Sequence, residues 1–417
     1  MQKLCHACRS GATLASMTRP DAAELDAADV LAEHRASFVD GGGVSAYLDG
    51  NSLGRPLKVT GENVRQFAER EWGGRLIRGW DEGWFDMPTT LGDRIGAAVL
   101  GAAAGQTVVG DSTSVLIYKL ARAALAMRPG RTEIVIDRDN FPTDRYLIEG
   151  IAAETGATIR WIDTDHDSGV TVDLLDAAVT ERTALVVVSH VAYRSGFLLD
   201  APTAARIARD RGALLLLDVC HSAGSVPMQL DSWGVDLAVG CSYKYLNGGP
   251  GAPAFAYVTN RVIGELSQPI WGWMGAAEPF EMGDGYAPAP GIRRMLTGTP
   301  PVLGMLPIAD MLDVIEQAGI DAIRAKSVAL TELAISLSDS VLGPLGATLA
   351  SPRDPDRRGG HVTIDHPSAR EAVARLWQQG VIPDFRRPSG VRLGFSPLST
   401  SFDEVERGIE ALALALG

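Results

Sequence analysis

Six short apolar runs, rich in Val, Ile and Leu, alternate with amphipathic stretches through the middle of the chain. The runs cover residues 133–137, 158–163, 184–189, 213–218, 237–241 and 253–258. The stretches between them, such as 113–127, 142–155 and 201–211, carry apolar residues at helical spacing, with Ser, Thr or Pro near their starts and Gly near their ends. Apolar strands that alternate with helices are typical of a mainly parallel sheet buried on both faces. The sequence therefore predicts an α/β fold for the large lobe.

A change of pattern near residue 300 predicts a second lobe. Residues 285–301 are rich in Gly and Pro, and a helical stretch follows at 302–340. The remainder fits strand 361–365, helix 369–380, strand 391–395 and helix 403–416, which make a small α+β unit. We expect an N-terminal segment at 1–46 that packs on the small lobe, a large domain at 47–310 and a small domain at 311–417. The site is expected at the junction of the lobes.

Charge and composition argue against several kinds of partner. The formal charge is −13, and no cluster of Lys and Arg interleaved with aromatics reverses it locally, so nucleic acid is a poor partner. No uninterrupted apolar run of about 20 residues is present, so membrane insertion is not expected. Four cysteines are too few and too scattered for a disulfide framework, and they fit a reducing cytoplasm.

The N-terminal residues are set aside. Cys5 and Cys8 have the spacing of half a zinc site, but no second pair follows at a suitable distance, so no metal site is predicted. We expect residues 1 to about 20 to be an unstructured leader without a signal-peptide pattern, with Met17 as an alternative start.

A carboxylate and a lysine follow neighbouring predicted strands. Asp218 ends the run LLLLD, His221 comes three residues later, and Lys244 lies just past the next strand, before the Gly-rich segment 248–251. In enzymes that use pyridoxal 5′-phosphate (PLP), a carboxylate keeps the pyridine nitrogen protonated, and a lysine forms an imine with the cofactor and later acts as a base. Either residue alone would more often be a helix cap or a solvated side chain. Together they predict a PLP site.

Three further positions suit the same site, each with a plainer alternative. Ser112 and Thr113 precede an apolar helix whose free N–H groups and dipole favour a phosphate, although a simple N-cap uses the same residues. Phe141 follows a strand end, where an aromatic ring can stack on a flat cofactor or belong to the core. Arg392, on a small-lobe strand, could clamp a substrate α-carboxylate or form a surface salt bridge.

Several longer strings run from about residue 45 to 405: YLDGNSLG at 47–54, WGGRLIRGW at 72–80, FPTD at 141–144, DVCHSAG at 218–224, YKYLNGGPG at 243–251, GWMG at 272–275, GTPP at 298–301 and the segment 391–400. Together they resemble the kynureninase family, within the class V aminotransferase group of fold type I PLP enzymes. The resemblance implies the fold type I architecture, with a PLP-binding large lobe built on a mainly parallel, seven-stranded sheet and a small C-terminal α+β lobe.

The resemblance also implies a role for each matching residue. Phe141 stacks on the cofactor ring, Asp218 pairs with its nitrogen, and His221 and Asp144 support it. The phosphate is held by Ser112, Thr113 and Tyr243, while Trp273 and Thr299 reach the site from a neighbouring subunit, which implies a homodimer. Trp80 and Thr299 flank the aromatic part of the substrate, Arg392 binds its carboxylate, and Tyr243 shuttles a proton.

The implied reaction is the hydrolysis of L-kynurenine, or a substituted kynurenine, to an anthranilate and L-alanine. It belongs to the kynurenine pathway of tryptophan catabolism and NAD biosynthesis, and Thr299 matches the bacterial, kynurenine-preferring pattern. Leu116, Ala192 and Ala276 stand where relatives carry Asn, Asn and His, so the preferred aryl group is open if these positions line the pocket.

Other functions share the Asp218, His221 and Lys244 arrangement. A class V aminotransferase or a related PLP lyase acting on another L-amino acid would use it as well. A sulfur-removing lyase additionally needs a mobile cysteine, and Cys220 and Cys241 flank buried strands. A catalytically silent PLP-fold scaffold is a further alternative, against which the intact Lys and Asp argue.

Overall fold

The computed structural model describes residues 21–281 and 283–417. Its helices are α1 (Ala22–Ala27), α2 (Ala32–Arg35), α3 (Lys58–Gln66), α4 (Gly73–Arg75), α5 (Met87–Ile95), α6 (Thr113–Ala126), α7 (Pro142–Thr155), α8 (Val172–Ala178), α9 (Ala201–Asp210), α10 (Leu230–Trp233), α11 (Val302–Ala318), α12 (Ile320–Leu337), α13 (Ala369–Gln378) and α14 (Phe402–Leu416). Its strands are β1 (Ala46–Tyr47), β2 (Thr107–Val109), β3 (Glu133–Asp137), β4 (Thr158–Ile162), β5 (Thr183–Ser189), β6 (Leu214–Asp218), β7 (Leu237–Gly240), β8 (Phe255–Val258), β9 (Thr348–Leu349), β10 (His361–Asp365), β11 (Val381–Ile382), β12 (Asp384–Arg386) and β13 (Gly390–Gly394).

Short irregular helices join these elements. The 3₁₀ turns are Leu76–Trp80, Trp273–Gly275, Gly291–Met295, Gly343–Leu345 and Pro355–Arg357, and the π segments are Phe67–Trp72, Gly96–Leu100 and Ser338–Leu342.

The large lobe is built on a seven-stranded sheet in the order β2-β8-β7-β6-β5-β3-β4. The strands from β7 to β4 run parallel to one another, whereas β8 lies antiparallel between β2 and β7. Separate apolar clusters pack on its two faces, which is why β3, β5 and β6 are apolar almost throughout. All six predicted strands are present within two residues of their expected ends, so the predicted α/β fold is confirmed.

The C-terminal part forms a second layer, here called the small lobe, in which α12, α13 and α14 pack with the antiparallel sheet β12-β13-β10-β9. The predicted small-lobe strands and helices are present. The single helical stretch expected at 302–340 is instead divided, because Gly319 has φ +78° and separates α11 from α12.

The first described residues contact the small lobe. Strand β1 pairs in parallel with β11. The Asp26 carboxylate accepts hydrogen bonds from the backbone N–H groups of Phe402 and Asp403, at 3.2 and 2.9 Å, and thereby caps the start of α14. The domain bounds at 46 and 310 stay predictions, and the Cys5 to Cys8 segment lies outside the described residues.

Among the described residues, the helical stretch Ile320–Leu345 is long and apolar enough to cross a membrane by length and composition alone. Leu330, Leu333 and Leu337 on this stretch are buried in the small-lobe core. Packing within the protein therefore accounts for their apolar character.

Candidate active site

Two neighbouring parallel strands bring Asp218 and Lys244 together. Asp218 is the last residue of β6 and lies in register with Val239 of β7, and Lys244 follows β7 by four residues. The two side chains are 8% and 9% exposed. Both line one cavity of about 150 Å³, together with Thr113, Ser114, Phe141, Thr143, Asp144, Cys220, His221 and Tyr243. Seven of the predicted site residues thus meet in one place.

The lysine lies between a histidine and two aromatic rings. Lys244 Nζ is 3.3 Å from His221 Nε2 and about 6 Å from the ring centroids of Phe141 and Tyr243, at 6.0 and 5.9 Å. Its loop rests on the YLDGNSLG segment, because Gly54 N–H donates to the Tyr243 carbonyl at 2.8 Å. A Cβ atom at Gly54 would lie 2.4 Å from the Lys244 carbonyl oxygen, so the close approach requires glycine.

Two buried histidines stand beside the lysine. The rings of His221 and His361 are 5.4 Å apart, and neither ring nitrogen of His361 has a hydrogen-bond partner among the described residues. Burial lowers the pKa of both rings well below the usual value, and the Lys244 ammonium lowers the pKa of each further. Both histidines are therefore neutral at neutral pH, so His221 Nε2 can accept a hydrogen bond from Lys244 Nζ when the ring carries its proton on Nδ1.

Two carboxylates occupy the same cavity in different environments. Asp218 Oδ1 accepts a hydrogen bond from the Cys220 N–H at 2.8 Å. Asp144 Oδ2 is buried without a partner in the described part of the chain. Burial, and after it the Asp218 carboxylate, raises the pKa of Asp144 well above its usual range. Asp144 thus presents an unsatisfied polar group to the cavity, as expected where a ligand supplies the missing partner.

The start of α6 forms one wall of the cavity. Thr113 is the first residue of α6 and lines the cavity, whereas Ser112 is exposed and its hydroxyl accepts the Val115 N–H at 3.4 Å as an N-cap. Behind the turn, the buried Lys119 Nζ donates to Asp111 Oδ2 at 2.5 Å and to the Met295 carbonyl at 2.8 Å. This pair fixes Asp111, which has φ +51° and directly precedes Ser112.

Arg392 lies outside the cavity lining and is almost fully committed to protein partners. Its Nη1 donates to the Tyr193 carbonyl at 2.8 Å, and its Nη2 donates to Ser52 Oγ at 2.6 Å and to Asp384 Oδ2 at 2.7 Å. The side chain is 1% exposed. The surface salt bridge considered from sequence is thus wrong, since the arginine is part of a buried network.

Trp80, Trp273 and Thr299 form a separate group. Trp80 and Thr299 line a second, strongly apolar cavity of about 290 Å³ with Phe67, Trp72, Trp84 and residues 300–304. The Trp273 ring packs edge-on against Trp80 with centroids 6.5 Å apart. This cavity shares no lining residue with the Lys244 cavity. Within one chain, the expected aryl-binding residues therefore cluster together but apart from the lysine.

The three positions that depart from the family pattern do not line the Lys244 cavity. Leu116 is buried in the core on one face of the large sheet. Ala192 lines a small cavity near Asn140 and Arg194, and Ala276 lies beside a cavity bounded by Trp271 and Tyr286. In the single chain, these substitutions leave the lysine and its neighbours untouched.

Sequence reasoning missed His361 and Arg386. His361 opens strand β10, and Arg386 ends strand β12, where its guanidinium contacts Asp384 at 2.5 Å and lies 5.7 Å from the Tyr193 ring centroid. A usable signal was present for Arg386, because Asp384 and Arg386 alternate on a short strand that precedes Arg392.

Two family models match parts of the chain. The "Kynureninase C-terminal domain" matches residues 323–412, and the "DegT/DnrJ/EryC1/StrS aminotransferase family" matches residues 103–229. Solved structures with the same fold include an apo cysteine desulfurase from Thermococcus onnurineus NA1, with a TM-score of 0.80, 18% identity and coverage of 92% of this chain and 97% of that one. The cysteine desulfurase CsdA from Escherichia coli gives a TM-score of 0.78 at 18% identity, with coverage of 93% and 98%. At this identity, the likeness establishes the fold.

Sequence relatives extend over nearly the whole chain. Kynureninase from Burkholderia pseudomallei (strain 1106a) is 40% identical over 402 residues, which is 95% of this chain and 94% of the relative. Kynureninase from Pseudomonas fluorescens is 40% identical over 403 residues, with the same coverage. With this identity across both lobes, the chain belongs to the kynureninase family.

Proposed function

We propose that this protein is a PLP-dependent enzyme that hydrolyses L-kynurenine, or a ring-substituted kynurenine, to an anthranilate and L-alanine. The proposal is carried by one observation: Asp218 and Lys244 line the same buried cavity beside Phe141 and His221. Membership of the kynureninase family supports the substrate class.

The cavity residues suit PLP. Lys244 Nζ would hold the cofactor covalently, Asp218 would pair with its pyridine nitrogen, and Phe141 would pack on its ring. His221 and the unsatisfied Asp144 carboxyl offer further hydrogen-bonding groups. The N-terminus of α6 with Thr113 and Ser112, together with Tyr243, would receive the phosphate. When bound, PLP withdraws electrons from the α-carbon of the amino acid.

Lys244 and His221 handle the α-proton. The free Lys244 amine removes the α-proton as a base, and the ammonium group that forms then donates a proton as an acid. His221 Nε2, 3.3 Å from Lys244 Nζ, accepts a hydrogen bond from the ammonium group that forms. His221 can do so because burial and the neighbouring lysine keep its pKa low and its ring neutral.

Tyr243 serves the carbonyl end of the substrate. Burial raises the pKa of Tyr243, so its hydroxyl stays protonated at neutral pH. It donates a hydrogen bond to the γ-carbonyl oxygen while one water molecule adds to the γ-carbon, and it relays a proton as the Cβ–Cγ bond breaks. One substrate molecule and one water yield one aryl carboxylate and one alanine. The α-carboxylate lies on the Arg392 side, beyond Tyr193.

The working unit in this proposal is a homodimer in which each site is shared. Large apolar side chains are exposed around the Trp80 group, among them Trp72, Ile77, Trp271, Phe280 and Leu303. A surface of this kind needs a partner. A second copy of the chain would cover it and carry Trp80, Trp273 and Thr299 to the mouth of the opposite Lys244 cavity.

Mixing two inactive variants tests the shared site. Lys244→Ala and Trp80→Ala are unfolded and refolded together, so that half of the dimers contain one chain of each. Such a dimer keeps one intact site if Lys244 and Trp80 act across the interface, and the mixture regains about a quarter of the parental activity. If both residues act within one chain, mixing restores nothing.

A sulfur-removing lyase is disfavoured by the two described cysteines. Cys220 and Cys241 are buried at adjacent strand ends, and Cys241 N–H lies 3.2 Å from Cys220 Sγ. The neighbouring Cys241 side chain, and then burial, raises the pKa of the Cys220 thiol well above its usual value. For the Cys241 thiol, the hydrogen bond with Cys220 and the Lys244 charge outweigh burial and lower the pKa to about 7. Both thiols are nevertheless buried and fixed at strand ends, which makes them poor sulfur acceptors.

Product analysis tests the reaction. The holoenzyme is incubated with L-kynurenine and with its 3-hydroxy form, and anthranilates and alanine are quantified. We expect both products in equal amounts, without any keto-acid acceptor. Lys244→Ala should lose turnover and the visible absorption of the bound cofactor, whereas Lys58→Ala, at an exposed lysine, should match the parent. Release of a keto acid, or parental turnover by Lys244→Ala, contradicts the proposal.

A further inference from the structure

His361 lies behind the Lys244 cavity and meets it through His221. It opens β10 of the small lobe, is fully buried, and is not among the described residues that line the cavity. Its ring faces the His221 ring, with centroids 5.4 Å apart and planes tilted by 52°. His221 Nε2 is in turn 3.3 Å from Lys244 Nζ. His361 is therefore placed to act on the lysine through His221.

Close backbone packing fixes the His361 ring. A Cβ atom at Gly360 would lie 2.5 Å from Ser225 Oγ and 2.8 Å from the Tyr245 hydroxyl oxygen, so glycine is needed where the small lobe approaches the large lobe. On the other side, a Cβ atom at Gly196 would lie 2.6 Å from the His361 carbonyl oxygen and 3.4 Å from ring atoms Nε2 and Cδ2. The Nε2 edge of the ring thus faces the turn that contains Gly196, and Nδ1 is the ring atom opposite that edge.

A backbone carbonyl lies on the Nε2 side of the ring. The turn closes with a hydrogen bond from the Gly196 N–H to the Ala192 carbonyl at 2.9 Å. The Ala192 carbonyl also acts on the ring, because it opposes the fall in the pKa of His361 that burial and then Arg392 cause. A carbonyl oxygen only accepts hydrogen bonds, so a neighbouring ring nitrogen is favoured as an N–H group. We therefore expect His361 to carry its proton on Nε2 and to leave Nδ1 as an acceptor.

The spacing of the two histidine rings fits an N–H···N hydrogen bond. Two imidazole rings joined edge to edge by such a bond of about 3 Å have centroids roughly 5 Å apart, and here the separation is 5.4 Å. Neither nitrogen of His361 meets hydrogen-bond geometry with the described residues, and burial of unpaired ring nitrogens is unfavourable. A leucine would fill this place without that cost. A bond to His221 on one edge and to the Ala192 carbonyl on the other would remove it.

We propose that His361 is a positioning residue in a directional hydrogen-bond chain, which runs from Lys244 Nζ to His221 Nε2, from His221 Nδ1 to His361 Nδ1, and from His361 Nε2 to the Ala192 carbonyl. The carbonyl sets the tautomer of His361, and His361 sets the tautomer of His221. His221 Nε2 is thereby kept as an acceptor that stabilises the Lys244 ammonium group while the α-proton is transferred. The inference rests on the proposed function and adds to it a residue that touches neither substrate nor cofactor.

The tautomers of the parental protein test the chain without turnover. Histidine is labelled with ¹⁵N and the ring signals of the holoenzyme are recorded by NMR, since protonated and unprotonated ring nitrogens resonate far apart. His361→Gln and His221→Gln assign the two rings by removing their signals. We expect the His221 proton on Nδ1 and the His361 proton on Nε2, which are opposite tautomers. The same tautomer in both rings, or a charged His361 ring at neutral pH, overturns the proposal.

Exchange of the α-proton of L-alanine, the expected product, measures the consequence for Lys244. In heavy water, each exchange breaks one Cα–H bond and forms one Cα–D bond, and it needs no C–C cleavage. His361→Leu, whose side chain has no polar atom, should slow exchange by about 3- to 10-fold at saturating L-alanine and leave the His221 tautomer unfixed. His361→Gln keeps a donor and an acceptor in its amide and should recover most of the parental rate. Equal losses in the two variants, or none in His361→Leu, overturn the proposal.

His190→Leu is a matched control. His190 is also buried, and its Nδ1 has no hydrogen-bond partner among the described residues, but its ring packs against Trp233 with centroids 5.7 Å apart. We expect the parental exchange rate and His221 tautomer in this variant, and a loss as large as that of His361→Leu overturns the proposal. The parental tautomers decide it even if His361→Leu does not fold. A parent that exchanges the α-proton of L-alanine but forms no anthranilate from L-kynurenine contradicts the proposed hydrolysis, while the role of His361 is still decided.

Discussion

Replacing Lys119 with Met tests how the start of α6, the proposed phosphate-binding end, is held. Lys119 is fully buried and donates to Asp111 Oδ2 and to the Met295 carbonyl. Methionine fills similar space but loses two charge-assisted hydrogen bonds, each worth about 1.5–3 kcal/mol. Part of that loss is offset, because burial disfavours the ammonium and lowers the pKa of Lys119. Asp111 also keeps access to water, with a side chain 28% exposed.

The net effect should be a loss of roughly 2–3 kcal/mol of unfolding free energy. For 417 residues, an unfolding entropy of about 2.1 cal/mol/K per residue makes this a fall in Tm of about 3 °C. Calorimetry of the parent, Lys119→Met, Asp111→Asn and the double variant measures it. The double variant should lose less than the sum of the single losses, since either change already breaks the pair. Additive losses would refute the reasoning. A Tm of Lys119→Met within about 0.5 °C of the parental Tm near neutral pH would refute it as well.

Three further outcomes are expected. Burial raises the pKa of Asp137 to about 6 from 3.8, so its ionised form opposes folding and stability is lost as pH rises through that range. Asp137→Asn should remove this loss, so that in urea unfolding the free energy of unfolding of the parent falls relative to the variant by roughly 2–3 kcal/mol between pH 4 and pH 7. Parallel pH curves for the two proteins would contradict the assignment. Gly54→Ala should disturb the Lys244 loop, so that the variant keeps at least about tenfold less bound PLP than the parent after dialysis for the same time. Gly61→Ala, on an open helix face, should keep as much PLP as the parent. Iodoacetamide should leave Cys220 and Cys241 unlabelled in the folded protein at pH 8, as read by mass spectrometry, and rapid labelling of either would reopen the sulfur-acceptor function.

The features that sequence predicted well are those fixed by local pattern. Continuous apolar runs such as β5 and β6 have one stable location, the middle of a sheet covered on both faces. Because neighbouring parallel strands end at the same edge, Asp218 and Lys244 had to approach each other once β6 and β7 were adjacent. The two-residue strands β1 and β11 carry no such pattern, and only the tertiary pairing defines them.

The features that sequence could not supply depend on distant parts of the chain. His361 and Arg386 come more than a hundred residues after Lys244. The spacing of Asp384 and Arg386 marks Arg386 as a candidate, but nothing near either residue indicates that the small lobe places His361 against His221 and Arg386 against Tyr193. Trp80 and Thr299 were assigned to the substrate through the family resemblance, and the single chain groups them at a second cavity. In the proposed homodimer, their relation to Lys244 depends on the assembly, which no local pattern encodes.

The pairing of β1 with β11 has a consequence for synthesis on the ribosome. The segment around Ala46 emerges about 335 residues before its partner at Val381. At roughly 5–20 residues per second, translation leaves it without that partner for roughly 17 to 67 s. During this interval the large lobe can already form its own core. Ala22, Ala46 and Leu48 become buried only when the C-terminal helices of the small lobe have been synthesised. Chaperones that protect nascent apolar segments would therefore matter most for the earliest part of this polypeptide, and slowing the ribosome late in the message would prolong that exposure.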